Sequence, residues 1–437
     1  MKKHTQSPCE RSEISYKPSS IKWLGEIPQS WENVSIRSCF TESNQRCNTD
    51  SYPLLSVTIA NGIIYQDNIE NKKDISNDDK SNYKIVPLNA VAYNKMRMWQ
   101  GAVGVNTLTT GIVSPAYIVA IPNEKILPNF VSYLFKSKIM IGEFDKNSYG
   151  LCLDMNNLRY DDFRNIKIPL PPLQEQKEIA EFLDKKCEKI QNYINKKQKL
   201  ITLLQEKKQA LINEVVAKGL NPNIESKNSG IEYLGLIPHH WEVKKLKYVG
   251  KVVLGKMLCN EYQKGYSHCY YLKSKNLQWL NVEVSQVEKM WFSEYEKSLY
   301  RIKKDDLLVS EGGEVGKTCI WNNELAECYI QNSVHKITLN KFNNAKFFLY
   351  AFFAYGKLGV FDSVVSRVSI AHLVLEKLIN VDMVVPPLQE QKEIAAFLDS
   401  KVAQIDSVIE KTKKQIELVK EYKNTLINEA VCGRIDL

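Results

Sequence analysis

Apolar residues in two stretches of the chain fall at alternating spacings of four and three residues, the a/d pattern of a coiled-coil helix. The stretches are residues 171–220 and 386–435. We predict one long helix in each. The predicted seam residues are Leu183, Ile190, Ile194, Ile201, Leu204 and Leu211 in the first helix and Leu398, Ile405, Ile409, Ile416, Val419 and Leu426 in the second.

The two stretches are copies of one another. They align without a gap and are identical at 27 of 50 positions, and both begin with PPLQEQKEIA. A double proline suits a helix start, because the first-turn N–H groups have no partner within the helix. The same seam position holds Lys208 in one copy and Lys423 in the other. Such a residue either fixes the register or packs its stem while its ammonium reaches water, and the sequence leaves both alternatives open.

A second repeat lies upstream of each long helix, at the start of the segment that leads to it. The pattern I-x-[WY]-L-G-x-I-P-x-x-W occurs at Ile21–Trp31 and again at Ile231–Trp241. Short runs of β-branched and aromatic residues, bounded by Gly, Pro or Asn, predict strands in both following segments, and one helix is predicted at Phe130–Phe144 and one at Ala345–Phe361. The predicted strands are Tyr52–Ile59, Ala90–Tyr93, Ala116–Ile121, Asn165–Pro169, Cys269–Lys273, Leu307–Ser310, Val334–Leu339 and Asn380–Val385.

The fold class that follows is α/β (α+β), with two similar domains that are each followed by a long helix. A helix of about 45 residues is roughly 68 Å long, which exceeds the width of a small domain, so it must project or pair. The matching partner is the other copy, and we predict an antiparallel intramolecular coiled coil with pseudo-two-fold symmetry. The predicted boundaries are 1–170 for the first domain, 171–220 for its helix, 221–228 for a linker, 229–385 for the second domain and 386–437 for its helix.

Composition narrows the class of protein only a little. Hydrophobic and charged fractions of 44% and 25% are those of an ordinary globular protein. No apolar run suits a membrane span and the first residues form no secretory signal, so the expected location is the cytoplasm. The ten cysteines include no CxxC pair, which argues against a zinc ribbon. A net charge of +9 permits a polyanionic partner without requiring one.

The sequence offers no convincing catalytic motif. Residues Gly313–Thr318 end like a phosphate-binding P-loop, but Glu311 stands where its first glycine is needed and a strand-like run follows. There is no GxGxxG, no Asn/Asp-Pro-Pro-aromatic tetrapeptide and no metal-ligand spacing among the six histidines. We therefore predict no catalytic residues, no cofactor and no metal.

These features together resemble the DNA-specificity subunit of type I restriction-modification systems. The resemblance is carried by LGxIPxxW at Leu24–Trp31 and Leu234–Trp241, by PPLQEQKEIA before each long helix, and by LINE at Leu211–Glu214 and Leu426–Glu429. It covers essentially the whole chain. It implies that each domain is a target recognition domain, and that the chain is a non-catalytic subunit of a larger complex.

The same resemblance implies the partners. Each recognition domain would read one half of a bipartite double-stranded DNA site, which we expect to be asymmetric because the two domains differ so much. Two adenine methyltransferase subunits would dock on the helices, and motor/endonuclease subunits would complete the restricting complex. From the residues alone, a coiled-coil scaffold that tethers two protein-binding domains stays open as an alternative.

Candidate DNA contacts are polar residues in loops that differ between the halves, because side chains at base edges carry sequence information while contacts to phosphates fix position. The insert at Lys95–Gln100 is five residues longer than its counterpart. A solvated loop residue is the alternative for each candidate. The candidates are Ser56, Thr58, Asn61, Lys95, Arg97 and Gln100 in the first domain and Lys273, Lys275, Asn276, Glu311, Lys317, Asn332, His335 and Arg367 in the second.

Overall fold

The computed structural model describes residues 15–21, 23–47, 52–69, 80–150, 156–364 and 372–435. The chain divides into two compact units. The first unit contains residues 1–197 and 414–437, and the second contains residues 198–413. Each unit therefore holds one α/β domain together with part of both long helices.

In the first unit the strands alternate with short turns before three helices and a last strand. The elements are β1 (Tyr16–Pro18), β2 (Glu26–Pro28), β3 (Glu32–Ser35), β4 (Phe40–Ser43), β5 (Leu55–Thr58), β6 (Gly62–Tyr65), β7 (Lys84–Val86), β8 (Val91–Asn94), β9 (Val103–Val105), β10 (Gly111–Val113), β11 (Tyr117–Pro122), α1 (Pro128–Lys136), α2 (Lys138–Lys146), α3 (Tyr160–Phe163) and β12 (Lys167–Leu170), followed by the long helix α4 (Leu173–Lys218). The central sheet has the order β4-β11-β8-β9, and all neighbours are antiparallel.

The second unit repeats this plan with additional strands. Its elements are β13 (Ser226–Asn228), β14 (Leu236–Pro238), β15 (Glu242–Lys245), α5 (Leu246–Val249), β16 (Gly250–Leu254), β17 (Ser267–Leu272), β18 (Leu277–Gln278), β19 (Asn281–Val282), β20 (Glu288–Phe292), α6 (Glu294–Tyr300), β21 (Leu307–Ser310), β22 (Thr318–Ile320), β23 (Tyr329–Ile330), β24 (Val334–Leu339), α7 (Ala345–Lys357), α8 (Val360–Val364), α9 (Leu375–Leu378) and β25 (Asp382–Val385), followed by α10 (Leu388–Val431). The central antiparallel sheet, β16-β24-β21-β22, has the order of the first. The prediction of one α/β fold present twice is confirmed.

The single helix predicted at 130–144 is wrong in one respect, because the segment forms two helices. Ser137 between α1 and α2 has extended backbone angles (φ −66°, ψ 142°), and its hydroxyl accepts a hydrogen bond from the Met140 N–H. A serine at an N-cap satisfies an N–H group that would otherwise lack a partner, so it starts a new helix. In the second unit, α7 buries every residue from Phe347 to Tyr355 and forms the centre of the core.

The long helices begin directly after the double prolines and run for 46 and 44 residues. Within the first unit, Leu183 of α4 shares a core with Leu426 of α10. Within the second, Ile212 of α4 shares a core with Leu398 of α10. The start of one helix thus packs on the end of the other, which is the predicted antiparallel pairing. All twelve predicted seam residues are buried or half-buried.

Lys208 lies in the seam of the second unit and forms an ion pair across the two helices. Its Nζ lies 2.7 Å from Oδ1 of Asp406, and its side chain is 19% exposed. This contact favours the register role over an ammonium that simply reaches water. Lys423, at the matching position in the first unit, faces Cys187. Burial raises the pKa of that thiol, and the charge of Lys423 opposes the shift.

The repeated PPLQEQ string joins each helix to the domain that precedes it. In the first unit the buried Trp31 indole donates to Glu175 of α4 at 2.6 Å. The side chain of Gln176, also buried, accepts from the Leu127 N–H and donates to the Pro171 carbonyl, both at 2.8 Å. The start of α1 is thereby held on the start of α4.

The second unit uses the same contacts. The Trp241 indole donates to Glu390 at 3.1 Å, and the side chain of Gln391 accepts from the Asn344 N–H and donates to the Pro386 carbonyl, both at 2.8 Å. Two copies of one string therefore satisfy the same set of buried polar groups, and a change that removes one of these side-chain donors or acceptors leaves its partner unsatisfied. This internal role accounts for the near-identity of the two strings.

Candidate nucleic-acid interface

In each unit the tip of a two-stranded hairpin lies beside a loop that joins two central strands. In the first unit these are the β5–β6 hairpin and the β8–β9 loop, residues 95–102. In the second they are the β18–β19 hairpin and the β21–β22 loop, residues 311–317. Most of the predicted contact residues lie in or next to these loops, although they come from separate parts of the sequence.

The β5–β6 hairpin carries Ser56, Thr58 and Asn61. The Thr58 hydroxyl accepts from the Asn61 N–H at 3.0 Å and donates to the Gly62 carbonyl at 3.2 Å. Ser56 and Thr58 are half-buried, whereas Asn61 is exposed. Thr58 therefore shapes the tip, and the Asn61 side chain is available to a ligand.

The β8–β9 loop is a 3-10 turn, Met98–Gln100, closed by Gly101 in a left-handed conformation (φ 90°). The Met98 side chain is fully buried and anchors the turn in the core. Arg97 and Gln100 are exposed on either side of it, and Lys95 is half-buried. The loop thus presents to solvent the two side chains predicted to make bidentate base contacts.

The hairpin and the loop of the first unit form one surface. A Cβ on Gly104 would lie 2.7 Å from the backbone N of Ile63, so the two segments approach too closely there for any residue but glycine. Lys136, the last residue of α1, donates to the carbonyls of Thr58 (3.2 Å), Ile59 (2.6 Å) and Gly101 (3.0 Å). Burial lowers the pKa of Lys136 to about 8. The sequence prediction missed this residue.

In the second unit, Lys273 and Lys275 share one carboxylate. Their Nζ atoms lie 2.6 and 3.2 Å from the same oxygen of Glu288. Hydrogen bonds from Lys273, Tyr271 and Lys275 lower the pKa of Glu288 to about 2. The carboxylate is therefore ionised at any working pH and neutralises part of the charge that two phosphate-binding lysines would offer.

Two of the predicted contact residues are enclosed. Asn276 is 3% exposed, and its amide donates to the carbonyls of Glu283 (3.1 Å) and Gln286 (3.3 Å). His335 is fully buried with Nε2 2.7 Å from the Leu373 carbonyl, and burial lowers its pKa. Neither side chain reaches a base without opening the fold. We correct their predicted role from base contact to positioning of the loops.

The loops of the second unit contact one another around Asn276 and His335. The Glu311 N–H and the Ser274 hydroxyl both donate to the Ser333 carbonyl, at 2.9 and 2.7 Å. The Asn332 N–H donates to the Lys256 carbonyl at 2.8 Å, and its side-chain oxygen accepts from Gln331. Burial raises the pKa of Glu311. The structure therefore places residues 273–276, 311 and 331–333 together. Arg367 lies outside the described residues.

The β21–β22 loop is held by charged and aromatic contacts. Lys317 pairs with Glu314 at 3.0 Å and is only 17% exposed, so it is engaged within the loop. Glu314 also accepts from the Trp279 indole at the tip of the β18–β19 hairpin. Lys357, the last residue of α7, lies 3.5 Å from Glu314 and 4.7 Å from the Trp279 ring centroid. A Cβ on Gly356 would lie 2.1 Å from that ring, so the tryptophan packs directly on the helix backbone.

Comparison with known proteins identifies the family. Residues 28–205 and 238–418 each match the model of the type I restriction modification DNA specificity domain. The matches cover most of the chain, so the chain belongs to the type I restriction-modification DNA specificity family. It acts in sequence-specific DNA recognition as a specificity subunit, and nothing supports the alternative of a protein-binding scaffold.

Individual relatives agree with this assignment. The chain is 25% identical over 450 residues (96% of this chain, 97% of the relative) to the MjaX type I restriction enzyme specificity subunit assigned in Methanocaldococcus jannaschii. It is 27% identical over 338 residues (74% of each chain) to the MjaVIII specificity subunit of the same organism.

Solved structures share the fold. A chain from a type I R-M system studied for complex assembly and conformational transition has a TM-score of 0.71 at 16% identity, covering 94% of this chain and 99% of that one. The HsdS subunit from Thermoanaerobacter tengcongensis has a TM-score of 0.55 at 17% identity, covering 94% and 98%. No helix among the described residues is long and apolar enough to span a membrane.

Proposed function

We propose that each recognition domain reads one half of an asymmetric bipartite DNA site. The observation that carries the proposal is that the same four-stranded sheet occurs once in each unit and supports a loop surface of different composition in each. The first offers Asn61, Arg97 and Gln100, and the second is built around Lys273, Lys275 and the residues near Ser333. Two unlike surfaces on one chain favour two unlike half-sites.

The candidate side chains divide by chemistry. Arg97 is suited to a bidentate contact with guanine, and Asn61 and Gln100 are suited to adenine. Lys95, Lys273 and Lys275 are suited to phosphates, which position the protein without carrying sequence information. Ser56 and Thr58 remain candidates at the rim of the first surface, and Glu311, Lys317 and Asn332 at that of the second.

We further propose that the chain is not itself catalytic, and that it meets DNA and its partner subunits in the cytoplasm. Two adenine methyltransferase subunits would dock on the long helices, and motor/endonuclease subunits would complete the restricting complex. We assign residues 1–170 and 229–385 to the recognition domains, 221–228 to a linker, and the two helices to setting the gap. For half-sites on one face of DNA that gap is about 34–36 Å. Two uninterrupted helices of 46 and 44 residues support this role.

The test is selection of bound DNA from a random library by the complex of this chain with methyltransferase subunits. The wild-type chain should select two unlike half-sites. The R97A and Q100A substitutions should each relax one position, by about 1–3 kcal/mol, within one half-site only. The other half-site is the internal control. An unchanged preference in both variants, or relaxation in both halves at once, would contradict the proposal.

A further inference from the structure

Lys136 joins two segments of the first recognition surface that are distant in sequence. Its ammonium donates to the carbonyls of Thr58 and Ile59 at the hairpin tip and to that of Gly101 at the end of the β8–β9 loop. Within the described part of the chain, no carboxylate lies at ion-pair distance from this ammonium. The three carbonyls are therefore its partners, and they match the three N–H donors of a charged lysine.

This arrangement is unusual for a lysine at the end of a helix. Such residues normally leave the ammonium in water and bury only the aliphatic stem. Here the Lys136 side chain is half-buried with its ammonium bound to three carbonyls, and its pKa is lowered to about 8 because burial disfavours the charged form. The ammonium is placed between the two loops that carry the exposed candidates Asn61, Arg97 and Gln100.

We propose that Lys136 is a positioning residue for recognition of the first half-site, holding the hairpin tip and the β8–β9 loop in one fixed arrangement. The inference rests on the proposed function of that surface. Lys136 itself does not contact the bases. Its effect on sequence preference is exerted through the backbone of the two loops, whose side chains meet the bases.

The second unit offers a built-in comparison. Lys357 ends the equivalent helix α7 and also joins a hairpin tip to a loop, but through Glu314 and Trp279 rather than backbone carbonyls. A change at Lys136 is therefore expected to affect one half-site, and a change at Lys357 the other. A general loss of stability would reduce discrimination at both half-sites rather than at one.

The experiment measures half-site discrimination by the full complex with methyltransferase subunits, using DNA with single changes in either half. K136M keeps the length of the stem and removes all donors. Discrimination in the first half-site should fall about tenfold, because loss of the three hydrogen bonds frees the hairpin tip and the β8–β9 loop from one another. Discrimination in the second half-site should not change. K136R, which keeps donors, should recover part of the lost discrimination. K138M alters an exposed lysine two residues away and should match wild type.

Wild-type protein provides a second readout, which does not depend on the folding of a variant. With a pKa of about 8 for Lys136, about a tenth of the amines are neutral at pH 7 and about nine tenths at pH 9. The neutral amine has two donors for three carbonyls, so discrimination in the first half-site should fall over this range while the second holds. The charged groups on the packed elements are Lys95 and Arg97 in the β8–β9 loop and Lys138, Glu143, Asp145 and Lys146 on α2, and the hairpin tip carries none.

Three results would overturn the inference. These are K136M discriminating like K138M, K136M losing discrimination equally in both halves, and a wild-type first half-site whose discrimination does not change between pH 7 and 9. Failure of the proposed function is distinguishable, because wild-type complex would then select no bipartite site at all, or a palindromic one, before any variant is compared.

Discussion

The two recognition domains build loop surfaces on the same sheet order but hold those loops by different chemistry. In the first, Lys136 binds backbone carbonyls and Gly104 allows the hairpin to lie against the sheet. In the second, Trp279, Glu314 and Lys357 form an aromatic and ionic contact. The contacts that the repeated tryptophan, glutamate and glutamine make between domain and helix, by contrast, are the same in both. Sequence preference is therefore able to vary without disturbing the helices.

The largest expected effect comes from making the two surfaces alike. A chain in which residues 242–385 are replaced by residues 32–170 would carry the first surface twice. Since the PPLQEQ contacts are equivalent in both units, the hybrid should assemble with methyltransferase subunits. The resulting complex should methylate a palindromic site made of two first half-sites. Selection from random DNA measures this. Retention of the original second half-site in the hybrid would contradict the assignment of specificity to these segments.

The shared contacts between domain and helix are tested by W31A and W241A. Each removes a fully enclosed indole that donates to the first turn of a long helix, so each should cost about 3–5 kcal/mol of unfolding free energy. Urea denaturation monitored by circular dichroism provides the measurement. The milder controls E175Q and E390Q keep the acceptor and should cost about 1 kcal/mol. A large loss of unfolding free energy in one variant and none in the other would show that the two tryptophan contacts are not equivalent.

The second surface carries a carboxylate shared by two lysines, and E288Q tests its role. Removing the charge frees Lys273 and Lys275 for phosphates, so nonspecific DNA affinity should rise about threefold, and the salt slope should steepen by about 0.9 per added contact. Because the pKa of Glu288 is lowered to about 2, the gain should be constant from pH 5 to 8. E283Q alters an exposed glutamate nearby and should change neither quantity. Equal gains for both variants would refute the pairing.

The smallest effect concerns the helices themselves. D406A removes the partner of Lys208 in the second unit, where the lysine is half-buried and the aspartate nearly half-exposed. A solvent-screened pair of this kind contributes about 0.5–1 kcal/mol, measurable as a small shift in the urea midpoint. S407A, on the adjacent exposed position, is the control. A cost above about 2 kcal/mol would mean that the pair sets the register more strongly than the geometry suggests.

The sequence predicted the long helices and the doubled domain well, because a seam every three or four residues and a double proline are local signals. It missed the helix break at Ser137, since the apolar spacing continues through it. Asn276 and His335 looked like surface polar residues. Their burial depends on carbonyls of Glu283, Gln286 and Leu373, which only the folded loops bring near.

Lys136 shows most clearly what the sequence does not contain. A lysine at the end of a short helix is usually solvated, and nothing beside it in sequence marks Thr58, Ile59 or Gly101 as its partners. Local patterns predict elements, whereas the composition of a loop surface depends on which distant segments the sheet places side by side. The signal that would have found Lys136 is its position at the end of α1, matched by Lys357 at the end of α7.

Recognition of two unlike half-sites is tested most directly by methylation mapping of DNA from cells that express this chain with adenine methyltransferase subunits. Two unlike half-sites held apart by a fixed gap should be methylated, and changes at Arg97 should alter only one of them. A methylated site with identical inverted halves, or methylation whose sequence is unaffected by replacing either recognition domain, would contradict the claim that two different surfaces on this chain each read one half.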